Sequence, residues 1–316
     1  MVYLQLLAGL GLLLASGEFL VRGSVAVATR LGVSPLFIGL TLVGFGTSTP
    51  ELMASVIAAL EGSPGIAVGN VIGSNIANIL LILGVAACVR TVPPDQGAYR
   101  RDGWMMLLAS LLLAAAVMIG RIDRLAGFLL LATLIAYIVF TYRLERASAD
   151  AGAAMHEAEA QSHSAPAGWS LGLAITVTMA SLAGVMGGAA LLVASAIDLA
   201  RAYGVSETVI GLTMVAVGTS LPELVVSVIA AARGQGDVAV GNILGSNIYN
   251  VLFILGVTSL IKPIVVPTQE LTADIAVVIA SAVTLIVLLA VGRPIGRVAG
   301  GAFLAVYAGY IAAVVA

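Results

Sequence analysis

Charged side chains are scarce in this chain. They make up 9% of 316 residues, while 60% are hydrophobic. Soluble domains carry about 25% charged residues, so the composition excludes an ordinary soluble enzyme and marks an integral membrane protein. Net charge is −2, so nothing points to nucleic acid. There is one cysteine, Cys88, so an internal disulfide framework is excluded. Cys88 ends an apolar run and reads as a small buried hydrophobe. The N-terminal stretch MVYLQLLAGLGLLLASGEF contains LLLASG, which looks like a signal cleavage region. It has no basic leader, and apolar character resumes beyond it, so it is read as the first span. Neither GxGxxG nor a phosphate loop is present.

What the chain does have is long apolar runs. A spanning helix needs about 20 mostly apolar residues. Candidate spans lie near 3–28, 34–60, 65–89, 103–120, 123–143, 168–201, 206–232, 237–261, 271–291 and 296–316. The first and sixth are long, which suits tilted helices. The break at 144–167 is the one long hydrophilic segment and holds both histidines, His156 and His163. It reads as a flexible linker; a metal-sensing loop is the weaker alternative, since it has no cysteine and few carboxylates. With ten spans, nine arginines fall on the side of the linker (Arg30, Arg90, Arg100, Arg101, Arg143, Arg146, Arg233, Arg293 and Arg297). Four cations fall on the other: Arg121, Arg124, Arg201 and Lys262. The positive-inside bias puts the linker in the cytoplasm and both termini outside, in the plasma membrane or a bacterial inner membrane.

The sequence repeats itself. Residues 32–60 align without a gap on 204–232, an offset of 172, and the same offset takes GNVIGSNIANILLILG (69–84) onto GNILGSNIYNVLFILG (241–256). Over positions 32–84 there are 33 identities in 53. Each half holds five spans, an odd number, so the second copy enters the membrane from the opposite side. The expected fold is therefore all-α and polytopic, with ten transmembrane helices as two inverted five-helix repeats. The units are 1–143 (core block 32–85), the linker 144–167, and 168–316 (core block 204–257). Such repeats place a binding site near the midplane where the halves meet.

The repeated residues suit a cation. Glu51 and Glu223 lie deep in spans, where a charge costs several kcal/mol and normally faces a cavity or pathway. A structural ion pair is the alternative, but the spans around them carry no Lys or Arg at depth. Together they hold charge −2, matching one Ca²⁺, two Na⁺ or two protons. On a continuous helix Thr47, Glu51 and Ser55 share a face, with Ser48 beside them; Thr219, Glu223, Ser227 and Ser220 repeat this. Hydroxyls bonding back to their own helix are the bland alternative. Pro50 and Pro222 carry no N–H, so the carbonyls of Gly46 and Gly218 lose their helical donors. Free carbonyls at membrane depth require a cavity, and hard cations want six to eight oxygens. Asn70, Ser74 and Asn78, and their copies Asn242, Ser246 and Asn250, recur at spacings of four. Interhelical hydrogen bonding is the competing role for Asn70, Asn75, Asn242 and Asn247. Gly69, Gly73 and Ala77 form a small ridge that admits a neighbouring helix. Glu18 and Arg22 are one turn apart in the first span and suit a local ion pair.

With GFGTSTPELMAS and GNVIGSNIANILLILG, AVGTSLPELVVS and GNILGSNIYNVLFILG, the chain resembles the two α-repeats of the sodium/calcium exchanger family, in its short prokaryotic form. The resemblance implies alternating access, with Ca²⁺ and Na⁺ competing for one cluster and the first and sixth helices sliding as gates. It implies that Glu51, Glu223 and the carbonyls of Thr47 and Thr219 hold Ca²⁺. It also implies outer Na⁺ sites from Thr219, Ser220, Ser246 and the Ala216 carbonyl, and from Thr47, Ser48, Ser74 and the Gly44 carbonyl, with Asn78 and Asn250 facing the centre. Many members carry Asp where this chain has Asn250. With two formal charges instead of three, Na⁺ stoichiometry is less firmly fixed, or protons serve as counter-ion. The readings weighed are a Na⁺/Ca²⁺ antiporter, a Ca²⁺/H⁺ antiporter, a cation channel and an intramembrane hydrolase. Inverted repeats disfavour the channel, and hydroxyls and broken-helix carbonyls around each Glu disfavour the hydrolase. No resident cofactor, enzymatic chemistry or obligatory protein partner is called for; the implied partners are Ca²⁺, Na⁺ and membrane lipid.

Overall fold

The computed structural model describes residues 2–92, 98–151, 169–203, 216–292 and 294–315. These form helices α1 (Val2–Leu31), α2 (Pro35–Thr47), α3 (Thr49–Leu60), α4 (Pro64–Val89), α5 (Ala98–Ile119), α6 (Arg124–Ala151), α7 (Leu171–Ala202), α8 (Ala216–Thr219), α9 (Leu221–Ala232), α10 (Gly236–Ile261), α11 (Thr268–Val291) and α12 (Arg297–Val315). Among the described residues, eight helices are long and apolar enough to cross a membrane; the bent pair α2–α3 makes nine. The span expected at 206–232 is described only over α8 and α9; its start lies outside the described residues, as do the two histidines. The expected linker begins later than its composition suggests. Its first residues, rich in Ala, Leu, Glu and Arg, are good helix formers and extend α6 to Ala151.

α1 and α7 are the long pair, with 30 and 32 residues. They lie antiparallel along their length on small residues: Gly9 against the backbone of Gly188 and Leu192, Ser16 against Gly184, and Gly23 against Thr178. Within a membrane such small-residue contacts take the place of a hydrophobic drive to associate. The centre of the molecule is α2–α3, α4, α9 and α10, of which α4 and α10 are the most buried spans. Gly62 and Gly234, both at positive φ, end α3 and α9 and fold each back on the helix that follows.

The outer helices cross over. α6 packs on α10 and α12 on α4. A two-residue strand β1 (Arg121–Ile122) pairs antiparallel with β2 (Ile264–Val265), and Val92 bridges Ile295 in the same way. Arg124 Nε donates to the Leu260 carbonyl at 3.2 Å, and Arg297 Nε to that of Cys88 at 3.2 Å. Arg90 reaches the Ala232 carbonyl at 3.5 Å and Lys262 that of Leu60 at 3.2 Å, each a cation at the negative end of a helix. Tyr137 donates to Asp102 at 2.7 Å and Tyr310 to Asp274 at 3.0 Å. Every one of these pairs recurs at a spacing of 172 or 173 residues. Cys88 is half-buried at the α4–α12 crossing, beside Gly300.

Candidate cation site

The two GTS–PE segments do not form continuous helices. α2 stops at Thr47, Ser48 takes φ −80° and ψ 6°, and α3 leaves at 41°. Ser220 does the same between α8 and α9, with φ −91° and ψ 7°. The backbone ladder runs from Ser48 N–H to Gly44 and from Leu52 N–H to Ser48, both at 3.2 Å. Between them Pro50 has no N–H to offer Gly46. The break changes the expected geometry: Thr47 now lies on a separate helix from Glu51, whereas Ser55 stays one turn beyond Glu51 on α3. Ser55 donates to the Ala67 carbonyl at 3.4 Å and accepts from Asn70 at 3.0 Å. It serves helix packing, not the site.

The break also puts each glutamate third from a helix start, after Thr49 and Pro50 or Leu221 and Pro222. A carboxylate there faces the positive end of the helix dipole. Ser48 and Ser220 occupy the N-cap positions, yet neither caps its own helix. Each reaches across: Ser48 Oγ donates to Glu223 Oε1 at 3.2 Å, and Ser220 Oγ to Glu51 Oε1 at 3.2 Å. Both glutamates are 1% exposed.

The asparagines divide into two groups. Asn70 donates to the Glu51 carbonyl at 3.2 Å and to Ser55; Asn242 donates to the Glu223 carbonyl at 3.3 Å and to Ser227 at 2.9 Å. Asn242 also accepts from Thr47 at 3.1 Å. Asn75 donates to the Asn247 carbonyl at 3.4 Å and accepts from Asn250 Nδ2 at 3.0 Å, which joins α4 to α10. These are the interhelical bonds expected as the competing role for Asn70, Asn75 and Asn242; the Asn247 side chain departs from it and donates to the Ile243 carbonyl of its own helix at 2.7 Å. Asn78 and Asn250 differ: their Oδ1 atoms are buried without a hydrogen-bond partner. So are Glu51 Oε2, Glu223 Oε2 and Ser246 Oγ. A buried, unpaired oxygen is costly, and these five stand on the same two helix breaks and the two helices behind them. Both α4 and α10 loosen into a π-helical turn there, at Ala77–Ile82 and Asn250–Leu255. Such turns recur at functional sites.

Of the remaining expected residues, Ser74 is buried with its Oγ 3.5 Å from Ser220. The Gly44 carbonyl is occupied, accepting from Ser48 N–H and, at 3.4 Å, from Thr47 Oγ1. Thr219 ends α8 and Ala216 begins it. Gly241 and Gly245, copies of Gly69 and Gly73, lie against the backbone of Leu36 and Leu40. The expected Glu18–Arg22 pair is present, and Arg233, which the sequence reading did not connect to it, shares the same carboxylate.

The family model described as "Sodium/calcium exchanger protein" matches residues 1–143 and 173–316, nearly all of the chain. The chain belongs to the sodium/calcium exchanger family. This exchanger is 35% identical to the sodium/calcium exchanger MaX1 of Methanosarcina acetivorans, over 98% of this chain and 97% of that one. It is 36% identical to the inner membrane protein YrbG of Escherichia coli, over 82% and 79%. Among solved structures it is similar to the sodium-calcium exchanger NCX_Mj soaked with 10 mM Na⁺ and 10 mM Sr²⁺, with a TM-score of 0.84 at 34% identity and 99% of both chains covered. It is thus a multi-pass membrane antiporter of the cation/Ca²⁺ class.

Proposed function

We propose that this exchanger moves Na⁺ against Ca²⁺ by alternating access, using one cation cluster near the membrane midplane built from both halves of the chain. The observation that carries the reading is the set of five buried, unpaired oxygens on Glu51, Glu223, Asn78, Asn250 and Ser246. Two carboxylates and neutral oxygens are the ligand chemistry a hard cation takes. The carbonyls of Thr47 and Thr219 complete the Ca²⁺ position, and Ser48, Ser74 and Ser220, with the carbonyls of Gly44 and Ala216, serve the outer Na⁺ positions. The recurrence of so many contacts at 172 or 173 residues supports ten spans in two inverted repeats, as does the family match in two segments, 1–143 and 173–316. The arginine bias supports a plasma-membrane or inner-membrane orientation with both termini outside and the linker cytoplasmic.

A second reading is Ca²⁺/H⁺ exchange on the same scaffold. It is favoured by one observation: both central amides are Asn, so the cluster holds two formal charges. The deciding experiment is ⁴⁵Ca²⁺ flux into proteoliposomes with Na⁺, K⁺ or H⁺ gradients imposed one at a time, for wild type, Glu51→Gln and Glu223→Gln. Uptake driven by an outward Na⁺ gradient and lost in both variants is the expected result. Uptake driven by a proton gradient alone moves the assignment to the second reading, and wild-type rates in either variant overturn the site.

A further inference from the structure

Glu18 stands midway along α1, outside the cation cluster and level with the end of α9, and is partly buried. It is held by two arginines. Arg22, one turn further along the same helix, pairs with it at 2.5 Å. Arg233, at the end of α9, approaches with Nη2 at 2.5 Å and Nε at 2.7 Å. At the same crossing Gly17 lies against Val225 and Ile229 of α9. This is therefore the place where the long α1–α7 pair is fastened to a helix that carries a site carboxylate.

The two partners of Glu18 differ in kind. Arg22 travels with Glu18 in any movement of α1, whereas Arg233 belongs to the core. A shift of α1 along α9 breaks the Arg233 contact without stranding Glu18, since Arg22 still neutralises it. The arrangement is also one-sided. At the offset that relates the halves, Glu18, Arg22 and Arg233 correspond to Ala190, Ala194 and Glu61. An inverted conformation, with the roles of the halves exchanged, has no equivalent ion pair.

We propose that Glu18 and Arg233 form a latch that positions the α1–α7 pair and biases the exchanger toward the conformation closed at the face bearing Arg233. The proposal rests on the alternating-access reading above. A bias of this kind appears as a difference in apparent affinity between the two faces, because affinity is reduced by the fraction of molecules open to that face.

The test is ⁴⁵Ca²⁺ exchange in proteoliposomes of determined orientation, with apparent Ca²⁺ affinity read at each face. Glu18→Gln and Arg233→Gln are expected to tighten it at the Arg233 face by about two- to fivefold and to weaken it at the opposite face. The double variant is expected to match the singles, and Arg233→Lys to stay close to wild type. Arg22→Gln is expected to shift the balance the other way, because Glu18 then depends on Arg233 alone. Equal changes at both faces, additive singles, or the same sign for Arg22→Gln and Glu18→Gln overturn the latch. If Glu18→Gln does not fold, Arg233→Gln, at an exposed helix end, carries the test. Glu51→Gln is run alongside: wild-type exchange in that variant refutes the cation site, whereas a silent Glu51→Gln with no shift in the latch variants refutes only the latch.

Discussion

Ser220 and Glu51 meet at 3.2 Å although 169 residues separate them in the chain. Ser48 and Glu223 repeat the contact at 3.2 Å across 175 residues. Each serine leaves the helix it would ordinarily cap to fix the carboxylate of the other half. The cluster thus exists only when both helix breaks are present and facing.

That exchange of serines is directly testable. Ser48→Ala and Ser220→Ala each remove a hydrogen bond to a carboxylate, worth about 1.5–3 kcal/mol. Each is expected to weaken Ca²⁺ binding by at least about tenfold, with Thr at either position restoring most of it. Equilibrium ⁴⁵Ca²⁺ binding to purified protein measures this; unchanged affinity in both alanine variants would show that the serines do not organise the site.

Asn70 and Asn242 act on stability more than on ions. Removing Asn242 takes one hydrogen bond each from the Glu223 carbonyl and the Ser227 and Thr47 hydroxyls, whereas removing Asn70 takes one each from the Glu51 carbonyl and Ser55, which keeps its bond to the Ala67 carbonyl. Both alanine variants are expected to lose about 1–3 kcal/mol, with Asn242→Ala the less stable. Thermal unfolding in detergent ranks them, and the reverse order would contradict the bond inventory.

Gly46 has no room for a Cβ. One built there would lie 2.7 Å from Leu182 Cδ1 and 3.0 Å from its Cγ, and at Gly218 the obstacle is Val193. Gly46→Ala is expected to slow exchange by about tenfold through overpacking of about 1–3 kcal/mol. Adding Leu182→Ala is expected to recover most of the loss. A double variant no better than Gly46→Ala would mean that the glycine answers to something other than α7.

Asp102 is fully buried and shared by Arg101, at 2.6 and 3.0 Å, and Tyr137. Arg101 continues to Glu145, which accepts the N–H of Ser34 at the start of α2. Tyr137→Phe is expected to cost about 1 kcal/mol, since the ion pair survives. Asp102→Ala is expected to cost more, about 3 kcal/mol, since it leaves a partly buried guanidinium with Glu145 alone at 3.6 Å. Melting temperatures distinguish the two, and exchange per folded molecule should be unchanged in Tyr137→Phe.

Much of this was legible in the sequence because apolar length and an internal copy are both one-dimensional signals. The spans at 65–89 and 237–261 and the two glutamates needed only those. The helix breaks were half legible. Pro50 and Pro222 announced lost donors, but the turn at Ser48 and Ser220, and with it the reach of each serine to the opposite carboxylate, depends on what faces them across the molecule. The division of the asparagines is a choice the sequence poses, and it is decided by their contacts: Asn70 on α3, Asn242 on α9 and α2, and Asn75 with Asn250 between α4 and α10. The outer ties are not legible because identity between the halves fades outside the two core blocks. Asp102 and Asp274, or Arg90 and Lys262, keep the same offset outside the similar blocks, and single matched residues carry little weight until their partners are seen.

The crossing of the outer helices bears on how the chain is made. α6 leaves the ribosome with its apolar face intended for α10, and Arg124 waits for a carbonyl 136 residues later. At ordinary translation rates that delay is roughly seven to twenty-seven seconds. During it the first half sits in the bilayer as inserted but unmatched helices, with only lipid or the insertion machinery against α4 and α6. Biogenesis of this exchanger is therefore a two-stage event in which the early spans are stored, and the last helix, α12, closes a seam opened by α4.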